Sequence, residues 1–344
     1  MIKMSIKGLA TGIGSLPYRN ADEAVDFVFK YLPQIPFWPQ LPKRDLREGM
    51  VAQYSENIPC LKFTTDGLFF DNQDSDRELE IFYDRVISGD HAHFKISQPF
   101  AEGLYSFYEK LETSDLAEVA FLKCQITGPF TFAASIKDQE GGVLLGDDIF
   151  RQAIIKGLAM KGLWQLNLFR PFGKKMIIFI DEPYLAGFGS AYTPINRDAV
   201  IKGLEELTLA LKAEDVLIGV HCCGNTDWSI FTEVAGIDII NFDAFGFIDK
   251  LVLYAGNLKG FLKKGGILCW GIVPTQETPE FPPLEQLANK IEAGIKVLIK
   301  KGVDEFLVRN NLLLSPSCGL GTLNENRAAK IFSRLAELSA ILKK

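Results

Sequence analysis

Short apolar runs alternate with longer amphipathic stretches along the whole chain. The runs are GLATGIG (8–14), CLKF (60–63), AFLKCQIT (120–127), KMIIFID (175–181), VLIGVH (216–221), DIINFD (238–243), ILCWGIV (267–273) and FLVRNNLLLSP (306–316). They are nearly continuous in apolar residues rather than alternating, as strands of a parallel sheet buried on both faces are. Between them lie stretches such as NADEAVDFVFKYL, FRQAIIKGLAMKGLWQLNLF, RDAVIKGLEELTLALKA, LEQLANKIEAGIKVLIKKG and NENRAAKIFSRLAELSAILKK. Their apolar residues recur three and four apart, which predicts helices with one buried face. Eight strands separated by helices predict an α/β chain folded as a (β/α)8 TIM barrel, one domain over residues 1–344. A doubly wound sheet is the alternative. Its nucleotide turn would have to be GIGSLP (12–17), which lacks the third glycine and ends in proline.

Two connections are long, those after strands 1 and 2. Residues 15–59 include the Pro/aromatic stretch LPQIPFWPQLP, and residues 64–95 include DNQDSDRELE and GDHAH. Long βα loops either cover and build an active site or serve as decoration and subunit contact. Both readings stay open at this point.

Composition narrows the class. With 47% hydrophobic and 23% charged residues the chain is an ordinary soluble globular protein. A net charge of −6, with both signs interspersed, argues against a nucleic-acid partner. No apolar run approaches the roughly 18 residues that span a bilayer, and MIKMSIKGLATGIG has no signal-peptide core. The expectation is a cytoplasmic protein with no membrane partner. Six cysteines are too sparse for a disulfide framework. Cys60, Cys124 and Cys269 sit inside apolar runs and read as core residues.

Reactive residue types collect where the strands end. Strand 1 ends in Gly14-Ser15, strand 3 in Thr127-Gly128-Pro129 and strand 4 in Asp181-Glu182-Pro183. Strand 5 ends in His221-Cys222-Cys223, strand 6 in Asp243 and strand 8 in Ser315-Pro316-Ser317-Cys318-Gly319. In a parallel barrel these ends share one rim, the one that carries catalysis. Side chains alternate along an extended chain, so His221 and Cys223 can point one way and Cys222 the other. Imidazole and thiolate suit zinc, and a catalytic zinc takes three protein ligands and keeps one position open. Cys318, 95 residues after Cys223, is the candidate third ligand, and Asp243 a fourth that substrate can displace. The competing view is a buried histidine with cysteines acting as small hydrophobes. Asp181 suits a salt bridge to a substrate ammonium or, alternatively, a turn cap, and Glu182 can equally be the functional member of that pair. Asp90, His91 and His93 in GDHAH form a weaker second metal candidate.

With these residues in view the chain resembles the catalytic barrel of the cobalamin-independent methionine synthase family, within the uroporphyrinogen decarboxylase-like and zinc-dependent methyltransferase superfamily. The motifs run in the same order over nearly the whole chain: TGIGSLP, TGPFTF, IDEPYL, HCCGN, DIINFD and SPSCGLGT. His-x-Cys with the distal Cys-Gly-Leu is the specific part. The resemblance implies Zn2+ on His221, Cys223 and Cys318, with Asp243 where the family has glutamate. It implies that Ile13, Gly14, Ser15 and Asp181 line the pocket for the amino-acid part of a small-molecule thiol, homocysteine being the leading candidate; Thr127 and Glu182, on the same rim, are further substrate-binding candidates. Asp181 and Asp243 are the expected catalytic carboxylates.

The departures concern the amine and the donor. The family's amine-binding glutamate, shortly before a Met-Val pair, falls by count on Arg44 of KRDLREGMV, with Asp45 and Glu48 as substitutes. The histidine that folate-dependent members carry after strand 7 has no counterpart in GIVPTQET. These departures weaken the case for methyltetrahydrofolate as donor and suit a corrinoid such as methylcobalamin, which brings in a corrinoid protein as a partner; both donors remain candidates. Two other classes remain: a decarboxylase-like barrel acting on a tetrapyrrole, and a non-catalytic corrinoid- or zinc-binding protein.

Overall fold

The computed structural model describes residues 6–64, 67–138, 141–190, 193, 195–276 and 281–343. Its strands are β1 (Leu9–Ala10), β2 (Leu61–Thr64), β3 (Gly67–Phe70), β4 (Phe121–Thr127), β5 (Lys175–Asp181), β6 (Val216–Cys222), β7 (Ile239–Phe242), β8 (Ile267–Val273) and β9 (Leu312–Pro316). Seven of them form one parallel sheet in the order β1-β9-β8-β7-β6-β5-β4. Neighbours follow chain order and the first strand lies beside the last, as in a TIM-like barrel; a doubly wound sheet would reverse direction at its centre.

The sheet curls around its own contents. Leu9, Phe121, Ile177, Phe179, Ile239, Ile267, Cys269 and Leu313 form a small apolar cluster separate from the large one under the helices. It draws on β1, β4, β5, β7, β8 and β9, which only a curled sheet brings together. By alternation these inward positions continue upward as Lys123, Gln125, Asp181, His221, Asn241 and Ser315. Leu122, Cys124, Ile126, Val220 and Cys222 face the helices instead.

Two strand expectations need correction. CLKF (60–63) is not in the barrel sheet; β2 pairs antiparallel with β3 as a separate hairpin. What lies between β1 and β4 is the extended segment 34–40, QIPFWPQ. It forms parallel bridges Ser15–Gln40 and Phe37–Lys123, and Ile35 joins the interior cluster. The Lys123 N–H donates to Pro36 O at 2.9 Å and the Gln40 N–H to Gly14 O at 3.0 Å. Pro36 and Pro39 have no N–H to give, so a regular ladder cannot form there although the chain occupies the place of a strand. The other correction is at FLVRNNLLLSP, which splits into a helix, Glu305–Asn310, and β9.

The amphipathic stretches are helices as expected: Ala21–Tyr31, Asp148–Phe169, Arg197–Leu211, Leu284–Lys300 and Glu325–Leu342. Asn20, Asp147, Asn196 and Asn324 cap four of them by accepting N–H groups of the first turn. The long connections carry further helices, including Ser75–Ile87 and Glu102–Thr113. Cys60, Cys124 and Cys269 are fully buried. Among the described residues no helix is long and apolar enough to cross a membrane.

Candidate metal centre and substrate pocket

His221 closes the inward row of β6, and one residue past that strand Cys223 points the same way. Cys318 follows β9 in a turn tied on both sides. The Ser317 N–H donates to Val273 O at 2.9 Å, and the Leu320 N–H to Ser15 O at 2.9 Å. The ligand atoms of His221, Cys223 and Cys318 all lie within 4.8 Å of one another, the only such grouping of three among the described residues. His221 is buried and the two cysteines half-buried, while Cys222 is buried among helix-facing apolar residues. The Cys318 thiol beside Cys223 holds the Cys223 sulfur down at about 4 against the opposing effect of burial, with the His221 imidazole adding to it. The Cys318 thiol is correspondingly pushed up. Burial works against charge on His221, yet hydrogen bonding to Cys223 and the nearby Asp181 leave it above its ordinary value. One imidazole and two thiols are a donor set that fits a borderline-soft cation such as zinc with a fourth position open.

Behind His221 lies a buried relay. Its Nδ1 hydrogen-bonds Asn241 Oδ1. Asn241 Nδ2 donates to Cys269 O at 3.0 Å and to Ser315 Oγ at 2.7 Å. Ser315 Oγ in turn donates to Pro316 O at 2.9 Å.

The three ligands open into a cavity of about 270 Å3 whose walls include Ile13, Ser15, Glu48, Met50 and Asp181. Asp181 is 5% exposed and its Oδ1 has no hydrogen-bond partner. Burial pushes its carboxyl up to about 6, with His221 and Lys123 pulling the other way. Glu48 is 1% exposed. Its Oε2 accepts the Leu41 N–H at 3.1 Å and its Oε1 lies 3.1 Å from Arg44 Nε. Burial lifts Glu48 to about 7 despite that guanidinium. Among the described residues, two buried carboxylates and no lysine or arginine line this cavity.

Lys123 lies deeper, fully buried, its Nζ 4.6 Å from the Phe179 ring centroid and bonded to Ile13 O at 2.5 Å and Gln125 Oε1 at 3.1 Å. It ties the end of β1 to β4 and so holds Ile13–Ser15 at the pocket wall. Desolvation lowers it to about 8.

The remaining expected residues have other employment. Gly14 lies beside the wall rather than on it, and a Cβ there would stand 2.8 Å from Gln40 Oε1. Thr127 Oγ1 donates to Met50 O and positions that wall residue. Glu182, fully buried, does not reach the cavity: its carboxylate accepts the N–H groups of Phe130 (3.0 Å) and Thr131 (2.9 Å) and the Thr131 hydroxyl (2.6 Å). It caps the helix Pro129–Ser135, and Gly128 is glycine because a Cβ would stand 2.2 Å from that carboxyl group. Asp243 sits beside the metal-ligand group and outside it, capping the next helix by accepting the Gly246 N–H at 2.7 Å. Asp45 pairs with Arg47 at 2.6 Å. In GDHAH, Asp90 pairs with Arg85 at 2.9 Å and the His91 ring meets Asn167 at 3.3 Å. Gln40 and Met50 are wall residues that the sequence did not disclose, because the proline-rich stretch before them reads as loop. Asn241 and Lys123 were legible in principle as polar residues inside apolar strands.

No family model matches the chain. It is 26% identical over 231 residues to the methionine synthase of Methanocaldococcus jannaschii, a match covering 64% of this chain and 65% of that protein. Among solved structures, a B12-independent methionine synthase from Shewanella sp. W3-18-1 in complex with selenomethionine superposes with a TM-score of 0.60. That alignment has 15% identity and covers 98% of both chains. The chain is thus similar in sequence to one methionine synthase, of whose length it spans about 65%, and similar in fold to another.

Proposed function

We propose that the protein transfers a methyl group to a thiol acceptor held at a zinc ion on His221, Cys223 and Cys318, with homocysteine the acceptor. The observation that carries this is the meeting of the imidazole and two thiols within 4.8 Å at the wall of a cavity where Asp181 Oδ1 is buried and unpartnered. A zinc ion bound there would keep an incoming thiol, ordinarily protonated below about pH 8.5, as a nucleophilic thiolate. The chain's own residues do the orienting. Asp181 and Glu48 take the ammonium of the acceptor, Glu48 serving where the family position holds Arg44. Ser15 hydrogen-bonds the acceptor, and Ile13 and Met50 exclude water along its methylenes. With the sulfur fixed by ligands at one end and the ammonium by carboxylates at the other, the methyl is transferred within an oriented pair. The seat of this chemistry is, on this reading, a full (β/α)8 barrel with segment 34–40 as its second strand.

The structural relative is B12-independent by its description, which favours methyltetrahydrofolate as donor. The lack of a histidine in GIVPTQET supports methylcobalamin, alone or on a corrinoid protein, as the second. A tetrapyrrole substrate is disfavoured by a cavity of about 270 Å3 without arginine. The test is zinc per chain in wild type, Cys223→Ser and Cys318→Ser, followed by mass-spectrometric detection of methionine from homocysteine with each donor. One equivalent in wild type, lost in both variants, and methionine formed with one donor is the expected result. Zinc without methionine would leave a binding protein, and no zinc with both variants folded would overturn the reading.

A further inference from the structure

The relay behind His221 determines which ring nitrogen faces the metal-ligand group. A backbone carbonyl only accepts, so the Asn241 amide must turn its Nδ2 toward Cys269 O, 3.0 Å away. The same nitrogen serves Ser315 Oγ at 2.7 Å, and Ser315 can accept there because its own proton goes to Pro316 O at 2.9 Å. Both amide protons are then used, and Oδ1 is left facing His221 Nδ1. Two acceptors cannot share that contact, so a proton sits on Nδ1 and Nε2 is the ring nitrogen left for the Cys223 side of the group. All members are buried: His221 is 2% exposed, Asn241 1% and Ser315 0%. Burial shields these bonds from solvent, and the buried Cys269 thiol also lies within hydrogen-bonding reach of Asn241 and Ser315.

We infer that Asn241, anchored by Ser315, is a positioning residue that fixes His221 with its proton on Nδ1 and presents Nε2 to the metal between Cys223 and Cys318. The inference rests on the metal reading above and deepens it. The relay runs from β6 through β7 to β8 and β9, four strands that are neighbours in the sheet, and ends on the carbonyl of Pro316, two residues before Cys318. It therefore sets the histidine's orientation and ties it to the strand that delivers the distal cysteine. Ligand-orienting hydrogen bonds of this kind change metal affinity typically by 10–100-fold when removed.

The experiment uses the full chain as wild type, Asn241→Leu and Ser315→Ala. Zinc affinity is read by competition with a chromophoric chelator, and ligand geometry by the visible spectrum of the cobalt-substituted protein. The ring proton of His221 is read in metal-free protein by 15N-histidine NMR, where only three histidines contribute. The expected result is an Nδ1-bound proton in wild type that is lost in Asn241→Leu. With it go a 10–100-fold loss of zinc affinity and an altered cobalt spectrum, and Ser315→Ala shows a smaller loss of affinity. Wild-type affinity and cobalt spectrum in Asn241→Leu, or an Nδ1 proton that survives it, overturns the inference even if that variant is less stable. Should Asn241→Leu not fold, Ser315→Ala decides alone: an unchanged affinity and cobalt spectrum overturns the relay. Wild type that keeps the Nδ1 proton and binds no zinc overturns the metal-positioning role and the metal reading together, and is told apart from failure of the relay by that proton.

Discussion

Glu48 lets the proposed preference of the pocket for a cation be tested without knowing the substrate. Its carboxyl titrates near 7 in the folded protein against an ordinary 4.5, burial being the main cause. It is a group whose folded value is raised, so between about pH 4.5 and 7 the folded chain holds a proton that the unfolded chain has released. Stability therefore falls as pH rises through that window and is flat above it. The displacement is about two and a half pH units, each worth about 1.4 kcal/mol, so ionising Glu48 costs about 3 kcal/mol of folding free energy by pH 8. The Glu48→Gln variant keeps the shape and cannot ionise. It should match wild type within about 1 kcal/mol at pH 4.5 and be more stable by about 3 kcal/mol at pH 8. Urea unfolding at several pH values, read as midpoint at constant slope, gives the difference. The same charge is recovered by an ammonium in the cavity, so the KM for an amine-bearing acceptor should fall in wild type as pH rises through 7 and stay flat in Glu48→Gln. A stability difference that does not change between pH 4.5 and 8 would refute the account of Glu48 as a strained, buried acid.

Other substitutions separate architecture from chemistry. Glu182→Ala should lower stability by about 2–3 kcal/mol, because orphaned donors at Phe130 and Thr131 outweigh relief of a buried charge, while KM for the acceptor holds; a large KM change with intact stability would return Glu182 to the substrate. Gly103→Ala places a Cβ 2.1 Å from Pro39 O, so it should destabilise by about 1–3 kcal/mol by thermal unfolding although alanine is the better helix former by about 1 kcal/mol. Cys222→Ala should leave zinc content at the wild-type level, since Cys222 faces the helices, and elemental analysis checks it against Cys223→Ser.

The parallel strands from β4 onward and the long helices were legible because each carries its own period: continuous apolar runs for strands buried on both faces, three- and four-residue spacing for helices. The His-x-Cys pair was legible for the same reason, since alternation alone separates Cys222 from its neighbours. The segment 34–40 was not, because its two prolines look like punctuation. Proline forbids donation but not an extended path, and the segment keeps its place through the N–H groups of Lys123 and Gln40. CLKF failed in the opposite sense: four apolar-rich residues cannot declare which sheet they join, and here the partner is the adjacent hairpin strand. The roles of Glu182 and Asp243 as helix caps rest on contacts across loops, which no local spacing encodes. Glu48 became the pocket acid because Leu41 N–H and Arg44 meet its carboxylate, a fold-back that counting along the chain misses.

The closing contacts of this pocket are among the most distant in the chain. Gly321 donates its N–H to Ser15 Oγ across 306 residues, and β1 finds its sheet partner in β9. One wall of the cavity is thus contributed by residues 13–50 and the facing one by residues 318–322. Contacts of such separation form late, because their loop entropy must be met before they return anything. A nascent chain that has already exposed His221 and Cys223 would offer the proposed metal only two of the three candidate ligands. On the proposed metal reading, the three-residue site is complete only once β9 has joined the sheet beside β1, so occupancy of the site would report that both ends of that sheet have met.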